Sequence, residues 1–165
     1  MILLEIKIYE GEYINNIPKK GKNIKLYKFN ENLKYEGEIL NGKYNGHGKL
    51  YEEGINSNYY DRNFVNGLYE GKGILYNFIS KYNNSSQYDK KFEGEFKNGL
   101  FHGFGKGKLY KRKDLDIYLF YEGNFIEGKY EGSGRIYYQT GLKFYDGLFK
   151  NNEMSGKGIK YYING

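Results

Sequence analysis

The string FEGEFKNGLFHGFG at Phe92–Gly105 decides how this chain folds, because it returns with few changes as YEGNFIEGKYEGSG at Tyr121–Gly134. Its first five residues set an aromatic, a glycine and an aromatic at every second position. Alternate residues of a β-strand share one face, so Phe92, Gly94 and Phe96 face one way while Glu93 and Glu95 face the other. A glycine inside a strand marks close approach to the backbone. Here it leaves a gap between two rings in which a side chain of a neighbouring unit can lie flat. Asn98–Gly99 follows, the strongest short hairpin signal, because a type I′ turn needs positive φ at both central residues. A second strand then opens on Gly-x-Gly and runs into apolar residues. Each string therefore predicts one β-hairpin that cannot bury its rings alone.

Working outward, the same spacing recurs at Tyr35–Gly48, at Tyr60–Gly73 with Arg62 in place of the first glycine, and at Tyr145–Gly158 with Asn152 in place of another. A degenerate copy spans residues 9–27. The whole chain, 1–165, reads as one repeat domain, with units starting near 35, 60, 92, 121 and 145. The spacing inside each unit holds while the spacing between units varies. The stretches Ser80–Lys90 and Leu109–Tyr118 are accordingly expected to be lengthened loops. Lys106–Gly107 is extra in the third unit, and Lys160 stands where an apolar residue belongs in the fifth, so the register of those two second strands stays open.

Composition agrees. Aromatics make up 19% of the 165 residues and there are 24 glycines, while alanine, the best helix former, is absent. Aromatics suit a pleated, half-buried surface. The expectation is an all-β, elongated, single-layer antiparallel sheet of five to six hairpins, stabilised by contacts between neighbours. With no cysteine there is no disulfide, thiolate metal site or cysteine nucleophile. The only early apolar run, MILL, is broken at Glu5 and is too short to span a membrane. A cytoplasmic protein is expected.

The pattern Tyr-x-Gly-x-Phe-x-x-Gly-x-x-x-Gly-x-Gly resembles the MORN (membrane occupation and recognition nexus) repeat. The resemblance covers essentially the whole chain, with Arg62, Asn152 and Ile39 as its departures. It implies a twisted sheet of hairpins that acts as a non-enzymatic scaffold or adaptor, peripheral at a membrane or the cytoskeleton. It also implies that some members dimerise and that phospholipid is one ligand proposed for the repeats.

The residues themselves offer little chemistry. His47 and His102 lie in different units, without the His/Glu spacing of a metal site. Most carboxylates alternate with lysines on the polar side of strands, where a general acid or base lacks the burial it needs. The Gly-x-Gly strings precede strands, not the helix a phosphate loop requires. No catalytic, cofactor or metal residue is assigned. Nucleic-acid binding is set aside because the aromatics are spent on the core. Two binding expectations remain. Tyr27, Tyr59, Tyr118 and Tyr138 stand outside the strict repeat positions and are expected to line an aromatic, partly basic groove for a partner peptide or helix. Lys111, Arg112 and Lys113 form the alternative, a basic loop that meets anionic phospholipid. The unpaired terminal strand offers an edge for a homodimer.

Overall fold

The computed structural model describes residues 13–15, 17–28, 32–51, 58–82 and 85–163. Tyr9 and Gly11 of the degenerate unit lie outside them. The described elements are all strands, as the composition predicts. They are β1 (Tyr13–Ile14), β2 (Ile17–Pro18), β3 (Lys20–Tyr27), β4 (Leu33–Leu40), β5 (Lys43–Tyr51), β6 (Asn58–Val65), β7 (Leu68–Tyr82), β8 (Ser85–Lys97), β9 (Leu100–Lys113), β10 (Asp116–Ile126), β11 (Lys129–Tyr137), β12 (Lys143–Lys150) and β13 (Glu153–Lys160). β1 and β2 pair with each other. β3 to β13 form an eleven-stranded antiparallel sheet in strictly sequential order.

Each full repeat is one hairpin: β4–β5, β6–β7, β8–β9, β10–β11 and β12–β13. The turns are as read from the sequence. Asn41–Gly42, Asn66–Gly67, Asn98–Gly99, Glu127–Gly128 and Asn151–Asn152 all carry two successive positive φ angles, from 50° to 87°. Asn152 holds φ 72° without being glycine, and its side-chain oxygen accepts from the Tyr130 N–H at 2.8 Å. The departure is thus repaired locally by a hydrogen bond that glycine lacks.

The first aromatic of each unit sits on glycine, but on the glycines of its own hairpin and not on those of the next. A Cβ built on Gly48 would lie 2.2 Å from the Tyr35 hydroxyl oxygen, and one on Gly134 would lie 2.4 Å from that of Tyr121. The two backbones also crowd together, since a Cβ on Gly37 would stand 2.5 Å from the Gly48 Cα. The hydroxyl then donates to a backbone carbonyl three residues on. Tyr35 reaches Glu38 at 2.7 Å, Tyr121 reaches Asn124 at 3.0 Å and Tyr145 reaches Leu148 at 3.1 Å. In the second hairpin Arg62 occupies the glycine position at φ 150°, and the Tyr60 hydroxyl bonds the backbone of Asn63, three residues on, and also reaches the Glu70 carbonyl at 3.4 Å.

Neighbouring modules join through rings and turns. The second strand of each of the first four hairpins supplies an aromatic, Tyr44, Tyr69, Phe101 or Tyr130, that stacks on the first ring at 3.9–4.1 Å. The next module's phenylalanine meets that first ring edge-on. Phe64 lies 5.6 Å from Tyr35, Phe96 5.1 Å from Tyr60, Phe125 5.1 Å from Phe92 and Phe149 5.2 Å from Tyr121. Each such pair adds about 0.5–1.5 kcal/mol beyond the area it buries. The turns dock as well: the N–H groups of Gly67, Gly99, Gly128 and Asn152 donate to the carbonyls of Tyr44, Tyr69, Phe101 and Tyr130 at 2.8–3.2 Å. Tyr35, Tyr60, Phe92, Tyr121 and Phe125 are fully buried as a result. The second-strand aromatics Tyr44, Tyr69, Phe101 and Tyr130, themselves partly buried, pack over these rings.

Two expected loops are strands. β7 and β8 stay paired out to Tyr82 and Ser85, and β9 and β10 out to Lys113 and Asp116, so the added length forms two β-ribbons continuous with the sheet. Residues 83–84 lie outside the described ones. The open register of the third unit is settled by a large bulge: Glu93 pairs with Lys108 and Glu95 with His102, so residues 103–107 all lie opposite Gly94. Gly107 takes the place in the crease that Gly48 and Gly134 hold elsewhere, pairs with Gly123, and is covered by the Phe125 ring. In the fifth unit Lys160 pairs with Tyr145 and lies over the Phe144 ring at 5.1 Å.

Candidate functional site

With the rings buried, the opposite face of the sheet presents the repeat's variable residues. Strand register lines up one row across it: Lys25, Glu36, Lys49, Asp61, Ile74, Glu93, Lys108, Glu122, Arg135, Asp146 and Ile159. The second residue of every repeat unit is acidic, and the second strands of the first, third and fourth hairpins place Lys49, Lys108 and Arg135 beside it. Opposite charges so placed attract across the ladder. Lys25 lies 3.6 Å from Glu36, Lys108 3.8 Å from Glu122 and Arg135 3.0 Å from Asp146. These pairs are partly exposed and screened by solvent, so their contribution to stability is small. Their larger effect is to fix where each charge stands.

Side chains around the row favour the charged form of two of its carboxylates, Glu93 and Asp146. The Lys90 ammonium, 2.9 Å away, lowers the Glu93 pKa. Burial pulls Asp146 upward, yet hydrogen bonds from Arg135 and Lys143 outweigh it and leave that carboxyl below its ordinary value. Next to the charges runs a row of half-buried tyrosines, among them Tyr110 and Tyr137, and the Tyr137 hydroxyl donates to Glu122 at 3.1 Å. Tyr27 shares this face with Lys25 by strand alternation. The backbone of Tyr59 falls in the same row, between Tyr51 and Tyr76; its side chain lies outside the described ones.

The other expected residues are placed differently. Tyr118 lies in the β9–β10 ribbon, opposite Lys111. Tyr138 follows β11, donates to the Tyr161 carbonyl at 2.9 Å, and meets Phe144 edge-on at 5.2 Å. The four tyrosines are thus spread across the sheet and not gathered in one place. Lys111, Arg112 and Lys113 sit in a strand, so Arg112 points away from the other two. Arg112 pairs with Asp89 of the adjacent ribbon and donates to the Asp114 carbonyl at 2.9 Å, while Lys111 lies 3.3 Å from the centre of the Phe120 ring. At the ribbon tip Leu115 is 86% exposed.

A concavity of about 770 Å³ opens on the charged face over β6 to β9. Arg62, Lys72, Ile74, Glu93, Glu95 and Phe104 line it. Sequence reading passed over this groove because its residues stand where the repeat pattern breaks. It also passed over Tyr44, Tyr69, Phe101 and Tyr130, although their constant distance from the first aromatic was a usable signal. Among the described residues, no group of three His, Cys, Asp or Glu side chains is gathered to hold a metal ion, and no helix is long and apolar enough to cross a membrane.

Among curated proteins no match is found. The family model of the MORN repeat matches residues 35–54, 63–77, 92–106, 121–143 and 145–165. The matches begin at or just inside the five hairpins described above, each of which carries its own ring and crease. MORN repeats are non-enzymatic modules that mediate protein or membrane interactions. With the repeat matched at five positions and its hairpins in place, the chain belongs to the MORN repeat family.

Proposed function

We propose that the chain is a protein–protein interaction scaffold or adaptor that works by presentation. The observation that carries this reading is the charged face. Its side chains stand at fixed steps on a sheet whose other face is locked by stacked rings, and the charged face holds a groove of about 770 Å³. Little ordering is lost when a partner segment docks on a surface already so arranged. The aromatic share of the surface comes from the tyrosine row, which contains Tyr27 and the backbone position of Tyr59. Capture from native lysate by the full-length chain should yield a stoichiometric partner, and Glu122→Lys, which reverses one charge of the ladder, should weaken that capture. Absence of any stoichiometric partner, or indifference to the charge reversal, contradicts the proposal.

A second reading is favoured by the β9–β10 ribbon, where Leu115 stands exposed beyond Lys111, Arg112 and Lys113. There the chain would meet anionic phospholipid peripherally. Flotation with anionic vesicles should then weaken as salt rises and fall with Leu115→Ser; no flotation at low salt ends this reading. Self-association through β13, the last strand of the sheet, is the accompanying proposal. A monomer mass independent of concentration in light scattering rules it out.

A further inference from the structure

We infer that the groove over β6 to β9 receives a partner helix that carries an acidic, a basic and an apolar side chain, in that order, on successive turns of one face. This inference rests on the scaffold reading and names the chemistry of the partner.

Three departures from the repeat converge on this groove. Arg62 replaces glycine and adds a guanidinium at φ 150°, a backbone conformation that side chains rarely adopt. Ile74 stands where the first, third and fourth hairpins carry Lys49, Lys108 and Arg135, and so interrupts the charge ladder between Asp61 and Glu93. Lys106–Gly107 is an insertion that enlarges the bulge in β9, and within that bulge Phe104 is 75% exposed. A strained residue, a missing charge and an exposed ring at one place are the marks of a site, since local rules fail most readily where function demands it.

The groove is ordered along the sheet. Arg62 and Lys72 bring positive charge on β6 and β7, Glu93 and Glu95 bring negative charge on β8, and Phe104 follows on β9. Lys72 and Glu95 are exposed and directly opposite each other in the ladder. A ligand of one sign meets repulsion at one wall, which disfavours an anionic membrane surface here. A ligand with both signs in the complementary order is attracted along the full length. Strands lie about 4.8 Å apart, close to the roughly 5.4 Å pitch of an α-helix. Side chains on successive turns of one helical face therefore meet successive strands: an acid over Arg62 and Lys72, a base over Glu93 and Glu95, an apolar group against Phe104.

The test is selection of displayed random peptides on the full-length chain. The expected consensus has acid, base and apolar residues in that order at three- or four-residue steps, and synthetic peptides of that consensus should bind at least about tenfold tighter than the same peptides with acid and base exchanged. The double variant Lys72→Glu/Glu95→Lys, which changes exposed residues only, should prefer the exchanged order, and Phe104→Ala should weaken both. A single-sign or uncharged consensus, an unchanged preference in the double variant, or no enrichment above the Phe104→Ala chain overturns the inference. If a native partner is captured yet ignores all three substitutions, the scaffold reading stands and this inference falls.

Discussion

Tyr35, Gly37 and Gly48 show what the repeat asks of single residues. The ring needs a backbone bare enough to lie on, and the hydroxyl needs a carbonyl within reach. Arg62 meets the first demand poorly, since it holds φ 150°, a backbone conformation that side chains rarely adopt. Arg62→Gly should relieve the strained φ and stabilise the fold by about 1 kcal/mol, part of the relief being offset by the greater freedom of glycine when unfolded. Chemical denaturation checks this, and destabilisation would contradict it. Burial raises the pKa of the Tyr35, Tyr60 and Tyr121 hydroxyls above the ordinary 10.0 and pushes that of Tyr130 up to about 12. A folded-state pKa above the unfolded one means the tyrosines' contribution is complete below that ordinary value and is lost as pH rises through the folded values. Tyrosinate absorbance from these rings should therefore appear together with loss of β circular dichroism in alkali. Full ionisation with the sheet intact would refute their burial.

At the scale of the element, the hairpins were the most legible part of the chain. Asn-Gly turns and the aromatic–glycine–aromatic alternation follow from φ and from strand period, both local properties. The seat of the ring was less legible, because spacing alone does not say whether Tyr121 lies on Gly134 of its own hairpin or on a glycine of the next. Tyr44, Tyr69, Phe101 and Tyr130 went unread although alternation from Tyr44 through Gly46, Gly48 and Leu50 puts them on the ring face. The ribbons were mistaken for loops because Ser80–Lys90 and Leu109–Tyr118 lack repeat residues, and pairing there needs only backbone. The bulge in β9 was flagged by Lys106–Gly107, and its consequence, the exposure of Phe104, required the register. Deleting Lys106–Gly107 makes the string Gly-Phe-Gly-Lys-Leu-Tyr, which matches Gly46–Tyr51 in all but His47. The deletion variant should fold with Gly105 in the crease, keep or raise its melting temperature, and lose the peptide selectivity of the groove. Unfolding on deletion would mean the bulge is structural.

For the whole molecule, stability is the sum of neighbour contacts along one axis. β10 and β11 are flanked by strands on both sides, whereas β13 has a partner on one side only and most of its side chains are exposed. Amide hydrogen exchange should therefore be slowest in β10 and β11 and markedly faster in β13. Equal protection throughout would point to one cooperative unit instead. The candidate groove is likewise a property of this scale, since its residues come from four strands and from three separate breaks in the pattern, none informative alone.

The central claim is that the first-position rings of the first, fourth and fifth hairpins lie on the paired glycines of their own hairpin, and proton NMR reads it directly. The Hα resonances of Gly134 and Gly158 should be shifted upfield by the ring currents of Tyr121 and Tyr145, with cross-relaxation between those ring protons and the glycine Hα. The Gly134 shift should vanish in Tyr121→Leu. Glycine Hα resonances at random-coil positions, or unchanged in that variant, would contradict the account.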